Sequence, residues 1–371
     1  MNYMISVLHS PYIIDGVQQE LTPAQIIGIA GDSADCAAKF DPVVDESAEP
    51  GLDAIRFDSL NYEDYLPGII SAERVMPVAF AGQFARSRVA GALVDAIWHK
   101  GHFRIGDLSP ALSWKVNRST VGNMAAFYRS VEAAGDYVNE LGLEFSSCDV
   151  EEAEECALAA KAMVTESESS EELFVAQPFR SENPLMEDGI IPDRLDCDPD
   201  SWVVYIPFDT ADYRLGGSML AQVTGQKGGV DPLIQDADYF IDCFEVVREL
   251  VEDGIAVSGR TVLDGGLLTA VKRMTDGETG VSLDISDIMK ATGEKNVIRI
   301  LFAEVPGVII QVRDSDFDYL DAELLLQDVA YYPLGHPLRN GGNLFLHSSE
   351  KTGIQNILES LIRNQCGEGE D

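Results

Sequence analysis

The chain has 371 residues, of which 26 are Lys or Arg and 63 are Asp or Glu, so its formal net charge is −37 at pH 7. This charge excludes a nucleic-acid-binding protein, because a phosphate-binding face needs clustered Lys and Arg, and it argues against binding to anionic membranes. Hydrophobic residues make up 46% of the chain, which is ordinary for a globular protein and excludes global disorder. The length allows roughly two domains.

The acidity has two explanations that the sequence leaves open. One is a protein from a high-salt setting, where salt screens the repulsion, and the other is an ordinary acidic soluble protein. The N-terminus lacks the basic segment of a signal peptide, and no apolar run reaches the roughly 18 residues of a membrane span, so we expect a cytoplasmic protein. The six cysteines form no Cys-x-x-Cys pair, which predicts reduced thiols and no structural zinc.

The first part of the chain alternates predicted strands and helices. Apolar runs at 26–29 and 43–44, and the run MPVAF at 76–80, predict short strands. Apolar residues at helical spacing predict helices at 84–99 and 122–141.

A change in composition at 151–172 predicts a connection between two domains. This stretch contains the acidic blocks EEAEE and ESESSEE, which repel each other and favour a solvated surface loop over a binding tail. A short strand is predicted after it, at 172–179. The predicted domains are therefore 1–198, which ends in this connection and strand, and 199–371, which ends in the polar tail CGEGED, where we expect fraying.

The second part of the chain repeats the alternation and predicts an α/β fold with mixed sheets. Its clearest element is a helix at 238–253, whose apolar residues share one face. The other predicted elements are strands at 201–209, 281–286 and 307–313, a strand–turn–helix unit at 255–274, and helices after Ser218, at 298–304 and at 315–325.

Two glycine motifs are candidates for a ligand site. Asp264-Gly265-Gly266 lies between a predicted strand and helix, where glycines let a ligand approach the backbone and the helix N-terminus offers N–H groups to an anion. Gly216-Gly217-Ser218 precedes another predicted helix. A plain strand–helix turn and a serine N-cap explain the same residues without a ligand, so both interpretations stay open.

Carboxylates elsewhere in the chain could act as metal ligands or acid–base groups. Asp35, Asp95, Asp149 and Glu304 are candidates, but among 63 acidic residues the spacing alone distinguishes none of them. No Ser–His–Asp or Cys–His arrangement is recognisable.

Six segments in order resemble the aminoimidazole ribonucleotide synthetase-like module that forms the C-terminal half of phosphoribosylformylglycinamidine synthases. The most specific are GGSMLAQV at 216–223 and LFAEVPGVIIQV at 301–312, and DGGLLTAV at 264–271 lies between them. The other three segments lie upstream, at 73–80, 92–114 and 127–145.

This resemblance implies a fold, ligands and partners. The N-terminal α/β domain of such a module pairs its sheet with another module to close a barrel, and nucleotide binds between this domain and the C-terminal α/β domain. The implied partner is a second copy of the chain (a homodimer) or a second synthase module, and the implied ligands are Mg²⁺ and ATP or ADP. The implied nucleotide contacts are Gly216, Gly217, Ser218, Asp264, Gly265 and Gly266.

The departures from the family concentrate on its metal and phosphate positions. The family motif His-Asp-x-Ser-Asp-Gly-Gly is replaced by Arg-Thr-Val-Leu-Asp-Gly-Gly at 260–266, so a metal-binding Asp becomes Thr. The family's Gly-Glu-Ala-Leu-Thr-Asn has its Glu and Asn replaced by Gly91 and Asp95, and a Lys is missing from 147–150. Asp35 matches a further ligand, so Asp35 and Asp95 are the metal positions that carry a carboxylate. Mg²⁺ needs several oxygen ligands, which predicts weakened binding of Mg–nucleotide.

Two functional hypotheses follow. In the first, the chain is a phosphoribosylformylglycinamidine synthase-like protein of de novo purine biosynthesis, a degenerate half-module that pairs with another module to make an ATP-dependent amide ligase. In the second, it is a catalytically inactive structural or interaction protein, a pseudoenzyme that keeps its packing residues and has lost Mg–nucleotide binding.

Overall fold

The computed structural model of the chain describes residues 7–29, 38–43, 62–164, 190–226, 229–339 and the backbone of 344–347. Its first half contains two small sheets with strand orders β2-β1-β3 and β5-β4-β6. The elements of this half are β1 (Tyr12–Ile14), β2 (Val17–Gln18), α1 (Pro23–Ile26), β3 (Lys39–Asp41), α2 (Leu66–Ser71), α3 (Ala81–Ala96), β4 (Leu108–Val116), α4 (Asn123–Glu140), β5 (Ser147–Glu152) and β6 (Ala157–Val164).

The second half is built on one six-stranded mixed sheet of order β12-β9-β11-β7-β10-β8. Four of its strand pairs are antiparallel, and β12 pairs with β9 in parallel. Its elements are β7 (Trp202–Pro207), α5 (Met219–Thr224), α6 (Ala237–Glu252), β8 (Ala256–Val262), α7 (Gly266–Met274), β9 (Thr279–Asp284), α8 (Ser286–Thr292), α9 (Val297–Phe302), β10 (Gly307–Val312), α10 (Phe317–Leu326), β11 (Tyr332–Arg339) and β12 (Leu344–His347).

Alternating side chains of the central strands divide the core between two layers. Val204 and Ile206 of β7 face the layer that contains α6 together with the helices of the first half. Val203 and Tyr205 face the opposite layer, which contains α7 and α9. Both faces of the large sheet are therefore covered, which explains why its central strands are almost continuously apolar.

The predicted mixed α/β architecture is confirmed, and most helices of the second half begin and end close to their predicted positions. α6 occupies 237–252 against the predicted 238–253, and in the first half α4 occupies 123–140 against 122–141. Among the described residues, neither small sheet closes into a barrel.

Two predicted strands of the first half are wrong. At 76–80 the chain forms a 3-10 turn at Val78–Phe80 that leads into α3. Pro77 fixes the backbone before this turn, and the Phe80 N–H donates to the Pro77 carbonyl at 3.0 Å. At 26–29 the chain forms the end of α1 and the turn after it. A helix forms here because Thr22 caps its start by accepting from the Gln25 N–H.

The prediction that 151–172 is a connecting loop is wrong for its described part, 151–164, which contains strand residues. β5 extends to Glu152, and β6 pairs antiparallel with β4 along the register Leu108–Val164 to Lys115–Ala157. Both strands bury alternate small or apolar side chains, such as Cys148 in β5 and Ala160 in β6, while the acidic residues of β5 face solvent. The predicted strand at 172–179, the tail CGEGED and Val44 lie outside the described residues.

Candidate functional site

The two glycine motifs meet at one edge of the large sheet. β7 and β8 both run antiparallel to β10, and Pro207 and Val262 both lie opposite Gly307. The loops that follow these two strands therefore leave the sheet side by side. One loop carries Gly216-Gly217-Ser218 into α5, and the other carries Asp264-Gly265-Gly266 into α7.

Glu304, in the loop between α9 and β10, links the two motifs. One carboxylate oxygen, Oε1, accepts from the backbone N–H of Gly265 at 2.8 Å and from that of Met219 at 2.8 Å. Glu304 is 5% exposed. A buried carboxylate thus satisfies the first N–H groups of two helical segments, a role that a ligand anion would otherwise take.

Two arginines from the first half complete the site and neutralise its carboxylates. Arg88 of α3 donates to both oxygens of Asp264, at 2.8 and 2.6 Å. Arg74 donates to Glu304 Oε2 at 2.6 Å, and its Nε lies 3.5 Å from Asp264 Oδ1. We call Arg74, Arg88, Asp264 and Glu304 the arginine–carboxylate network. It ties the first half of the chain to both glycine motifs.

Burial and ion pairing shift the pKa values of the two network carboxylates in opposite directions. Burial alone raises the pKa of Asp264, but the Arg88 guanidinium opposes it, and the net pKa lies below the usual value. Burial is the largest effect on Glu304 and raises its pKa despite the opposing charge of Arg74. Asp264 is therefore held as a carboxylate against its own desolvation by the bidentate Arg88 contact.

Asp95 and Thr261, two positions at which the family resemblance implies metal ligands, lie in direct contact. The Thr261 hydroxyl donates to Asp95 Oδ1 at 2.6 Å, and the Trp98 indole N–H donates to the Thr261 oxygen at 2.9 Å. Asp95 is 8% exposed, and burial raises its pKa to about 6 while Thr261 and Arg260 oppose the shift. The two positions thus lie next to each other, and the side chain at 261 is a neutral hydroxyl that donates to the Asp95 carboxylate.

The glycines of both motifs are required by the packing of the chain itself. Gly265 and Gly266 have φ values of +78° and +70°, and a side chain on Gly266 would come within 2.7 Å of the Leu301 carbonyl oxygen. A side chain on Gly216 would come within 2.4 Å of the Asp231 nitrogen. Ser218 caps α5 by accepting from the Ala221 N–H at 3.2 Å. Each of these four residues thus has a role in the fold that does not depend on a ligand.

Two carboxylates that could contact Mg²⁺ at this site, Asp95 and Asp264, are already engaged by Thr261 and Arg88. Among the described residues, no group of three or more His, Cys, Asp or Glu side chains is arranged to hold a metal ion. The pocket between Arg74, Ser218 and Glu304 has a volume of about 20 Å³, which accommodates about one water molecule. Asp35 lies outside the described residues.

The sequence analysis missed Arg74 and Arg88 and did not distinguish Glu304 from the other carboxylates. A signal for Arg88 exists, because this residue stands among apolar residues such as Ala85 and Val89 in a predicted helix, and a buried arginine needs a carboxylate partner. Glu304 offers no comparable local signal, since the N–H groups that it accepts from belong to residues 39 and 85 positions away. Asp149, in contrast, lies on edge strand β5 with Ser147 and Glu151, away from the network.

No protein-family model matches the chain. Curated relatives include a probable phosphoribosylformylglycinamidine synthase of Arabidopsis thaliana, 25% identical over 253 residues, covering 68% of this chain and 17% of the relative. The Drosophila melanogaster synthase is 31% identical over 160 residues, covering 40% of this chain and 12% of the relative. The human synthase is 30% identical over 115 residues, covering 31% and 8%. The chain thus spans less than a fifth of these relatives, and its resemblance to phosphoribosylformylglycinamidine synthase is confirmed.

Solved structures with a similar chain path include PurL of T. maritima complexed with FGAR. It is 12% identical, covers 76% of this chain and 42% of that chain, and has a TM-score of 0.49. The hydrogenase maturation protein HypE in complex with ATP is 14% identical, covers 71% of this chain and 76% of that chain, and has a TM-score of 0.45. None of the helices in the described part of this chain has the length and apolarity needed to cross a bilayer.

Proposed function

We propose that this chain is a phosphoribosylformylglycinamidine synthase-like module of purine biosynthesis that acts by pairing with another synthase module and does not itself bind Mg–nucleotide. The observation that carries the proposal is the Thr261–Asp95 hydrogen bond, because it joins two implied metal-ligand positions with a neutral donor. The curated relatives support the purine-biosynthetic assignment through their names.

The arginine–carboxylate network supports the same proposal. In a metal-dependent phosphate site, the bound cation would neutralise Asp264. Here Arg88 neutralises it, and Glu304 already accepts from the N–H groups at the two motifs. A phosphate entering here would meet two carboxylates that already pair with arginines, on a chain of formal charge −37. PurL of T. maritima has been crystallised with ATP and with ADP, so nucleotide binding remains the property to test.

The first experiment is titration calorimetry of the purified chain with ATP or ADP in the presence of Mg²⁺. We expect no heat of binding at nucleotide concentrations up to about 1 mM, which corresponds to binding weaker than about −4 kcal/mol. The same measurement on a phosphoribosylformylglycinamidine synthase that carries the full metal motif serves as the positive control. Micromolar binding by the chain would contradict the proposal.

The second experiment asks whether the chain works through a partner. Co-purification with an N-terminal synthase half, or sedimentation of the chain alone, measures pairing with another module or a homodimer. We expect the reconstituted pair to turn over formylglycinamide ribonucleotide with ATP and ammonia. We expect no turnover by the chain alone. Pairing without turnover would favour the alternative of a catalytically inactive interaction protein, and a strict monomer that binds no synthase module would refute both.

A further inference from the structure

A cavity of about 580 Å³ lies at the same edge of the large sheet, beside the arginine–carboxylate network. Its volume falls within the range of roughly 300–1,000 Å³ that is typical of small-molecule sites. All the residues that line it come from position 207 onward, so it belongs to the second half of the chain. It is therefore separate from the cleft between the two halves, where the family resemblance implies nucleotide.

The charges on the cavity wall leave one carboxylate without a counterion. Five charged side chains line the cavity, and four of them form two ion pairs. Arg214 pairs with Asp212 at 2.7 Å, and Arg299 pairs with Glu294 at 3.0 Å. The fifth is Asp209, which forms no ion pair with another described residue.

Asp209 is buried and only half satisfied. It is 3% exposed, and its Oδ2 accepts from the backbone N–H groups of Gln235 and Asp236 at 3.1 and 3.2 Å. Its Oδ1 has no hydrogen-bond partner among the described residues. Burial raises the pKa of Asp209, since the backbone N–H groups of Asp236, Gln235 and Ala211 offset only part of the desolvation. A buried acceptor without a donor is costly, which makes this oxygen a strong point of attraction for a donor group.

Three tyrosines contribute to the remaining wall. Tyr213, Tyr239 and Tyr332 line the cavity, and the Tyr239 oxygen is fixed by the Ala330 N–H at 3.0 Å. Tyrosine faces attract cations, so the rings and the unpaired carboxylate favour the same ligand charge. A metal ion is disfavoured, since it needs several converging oxygen or nitrogen ligands and the described residues contain no such group.

We propose that this cavity binds a small organic cation, whose primary ammonium or guanidinium group donates to Asp209 Oδ1 while its apolar part contacts the tyrosine rings. Oδ1 is covered in this structure, so contact requires a local adjustment of the loop at 209–212, where the Asp212 side chain is 74% exposed. The inference does not depend on the proposed function, because it concerns residues outside both glycine motifs.

Titration calorimetry and thermal unfolding of the full chain test the proposal with n-butylammonium and n-butylguanidinium as probes. Neutral n-butanol, which has the same apolar part as n-butylammonium, is the control ligand. Asp209→Asn removes the charge, and Ala291→Trp places a large ring at the exposed Ala291 on the cavity rim. Asp238→Asn is the matched control variant, because Asp238 is an exposed acid of α6 outside the cavity lining.

We expect at least one cation to bind the wild-type chain and to lose at least about tenfold in affinity in Asp209→Asn, as the loss of a charged hydrogen bond predicts. Ala291→Trp should lose a similar factor and Asp238→Asn should match the wild type. Thermal unfolding of each variant alone checks folding, and Ala291→Trp keeps the test decisive if Asp209→Asn does not fold. The proposal is overturned if no cation binds at about 10 mM, if n-butanol binds equally well, or if both cavity variants keep wild-type affinity.

Discussion

The two charged regions at the edge of the large sheet differ in how their carboxylates are neutralised. In the arginine–carboxylate network, Asp264 and Glu304 are matched by Arg88 and Arg74 from the first half of the chain. In the neighbouring cavity, Asp209 has backbone donors on one oxygen and none on the other. The comparison teaches that, among the described residues, each carboxylate of the network faces an arginine, although Arg74 Nε and Nη1 lack a hydrogen-bond partner there, whereas Asp209 has no counterion.

The largest effect in this comparison is expected from breaking the network at Arg88. Arg88→Met leaves the buried Asp264 without its bidentate partner, which should lower the free energy of unfolding by about 3 to 5 kcal/mol. Urea denaturation at pH 7 measures this loss. Arg118→Met is the matched control, since the Arg118–Glu152 pair is 40% and 51% exposed and should cost less than about 1 kcal/mol.

The double variant Arg88→Met/Asp264→Leu sharpens the same result. Removing both charges should recover most of the stability, because an apolar pair of similar volume avoids the desolvation of two ions. If Arg88→Met alone costs no more than the Arg118 control, the network does not stabilise the fold in the way that its geometry indicates.

A smaller effect is expected from the pH dependence of Asp95. Its folded-state pKa, about 6, lies above the ordinary value of 3.8, so the protonated acid is favoured by folding. This contribution is fully present below about pH 4 and is lost as the pH rises through 6, a change of about 2 to 3 kcal/mol. The free energy of unfolding should therefore fall over this interval relative to Asp95→Asn, which cannot ionise.

Denaturation of both proteins between pH 4 and 7 measures the difference. Asp95→Asn keeps an acceptor for the Thr261 hydroxyl, so the comparison isolates the charge. Parallel pH profiles for the wild type and Asp95→Asn would show that burial does not raise the pKa of this carboxyl.

The smallest effect is expected at Asp209. Asp209→Asn keeps an oxygen that can accept from Gln235 and Asp236 and removes a buried charge that has no counterion, so its cost should stay below about 1 kcal/mol at pH 7. Asp264→Asn, the same substitution within the network, should cost several times more, since it leaves Arg88 facing a neutral group. Equal losses in urea denaturation of the two variants would contradict the contrast between the regions.

The elements that could be predicted are those specified by a pattern of neighbouring residues in the sequence. α4 and α6 have long apolar faces at helical spacing, and both lie where that pattern places them. β4 and β11 were not predicted, since each contains residues that discourage strands, Pro110 in β4 and Pro333 with Gly335 in β11. Their pairing is decided by partners such as β6 and β9, which lie far away in the sequence.

The same limit applies to the candidate site. The two glycine motifs could be recognised, and the positions of Asp95 and Thr261 could be assigned through the family resemblance. The contacts of the network could not, since Arg88 and Asp264 are separated by 176 residues and no local pattern connects them. Asp209 likewise looks ordinary in the sequence, because its burial results from the packing of the loop at 234–236.

Burying arginines has a consequence for how the surface of this protein meets other molecules. Arg74, Arg88, Arg248 and Arg260 all have side chains no more than 13% exposed, and together they are four of only 26 basic residues. Arg248, for example, donates to the carbonyls of Ile97 and His99 and holds the end of α3 against α6. Each of these arginines pairs with a carboxylate, so burying them leaves the net charge of −37 on the rest of the chain, and the association rate of an acidic partner should rise with ionic strength.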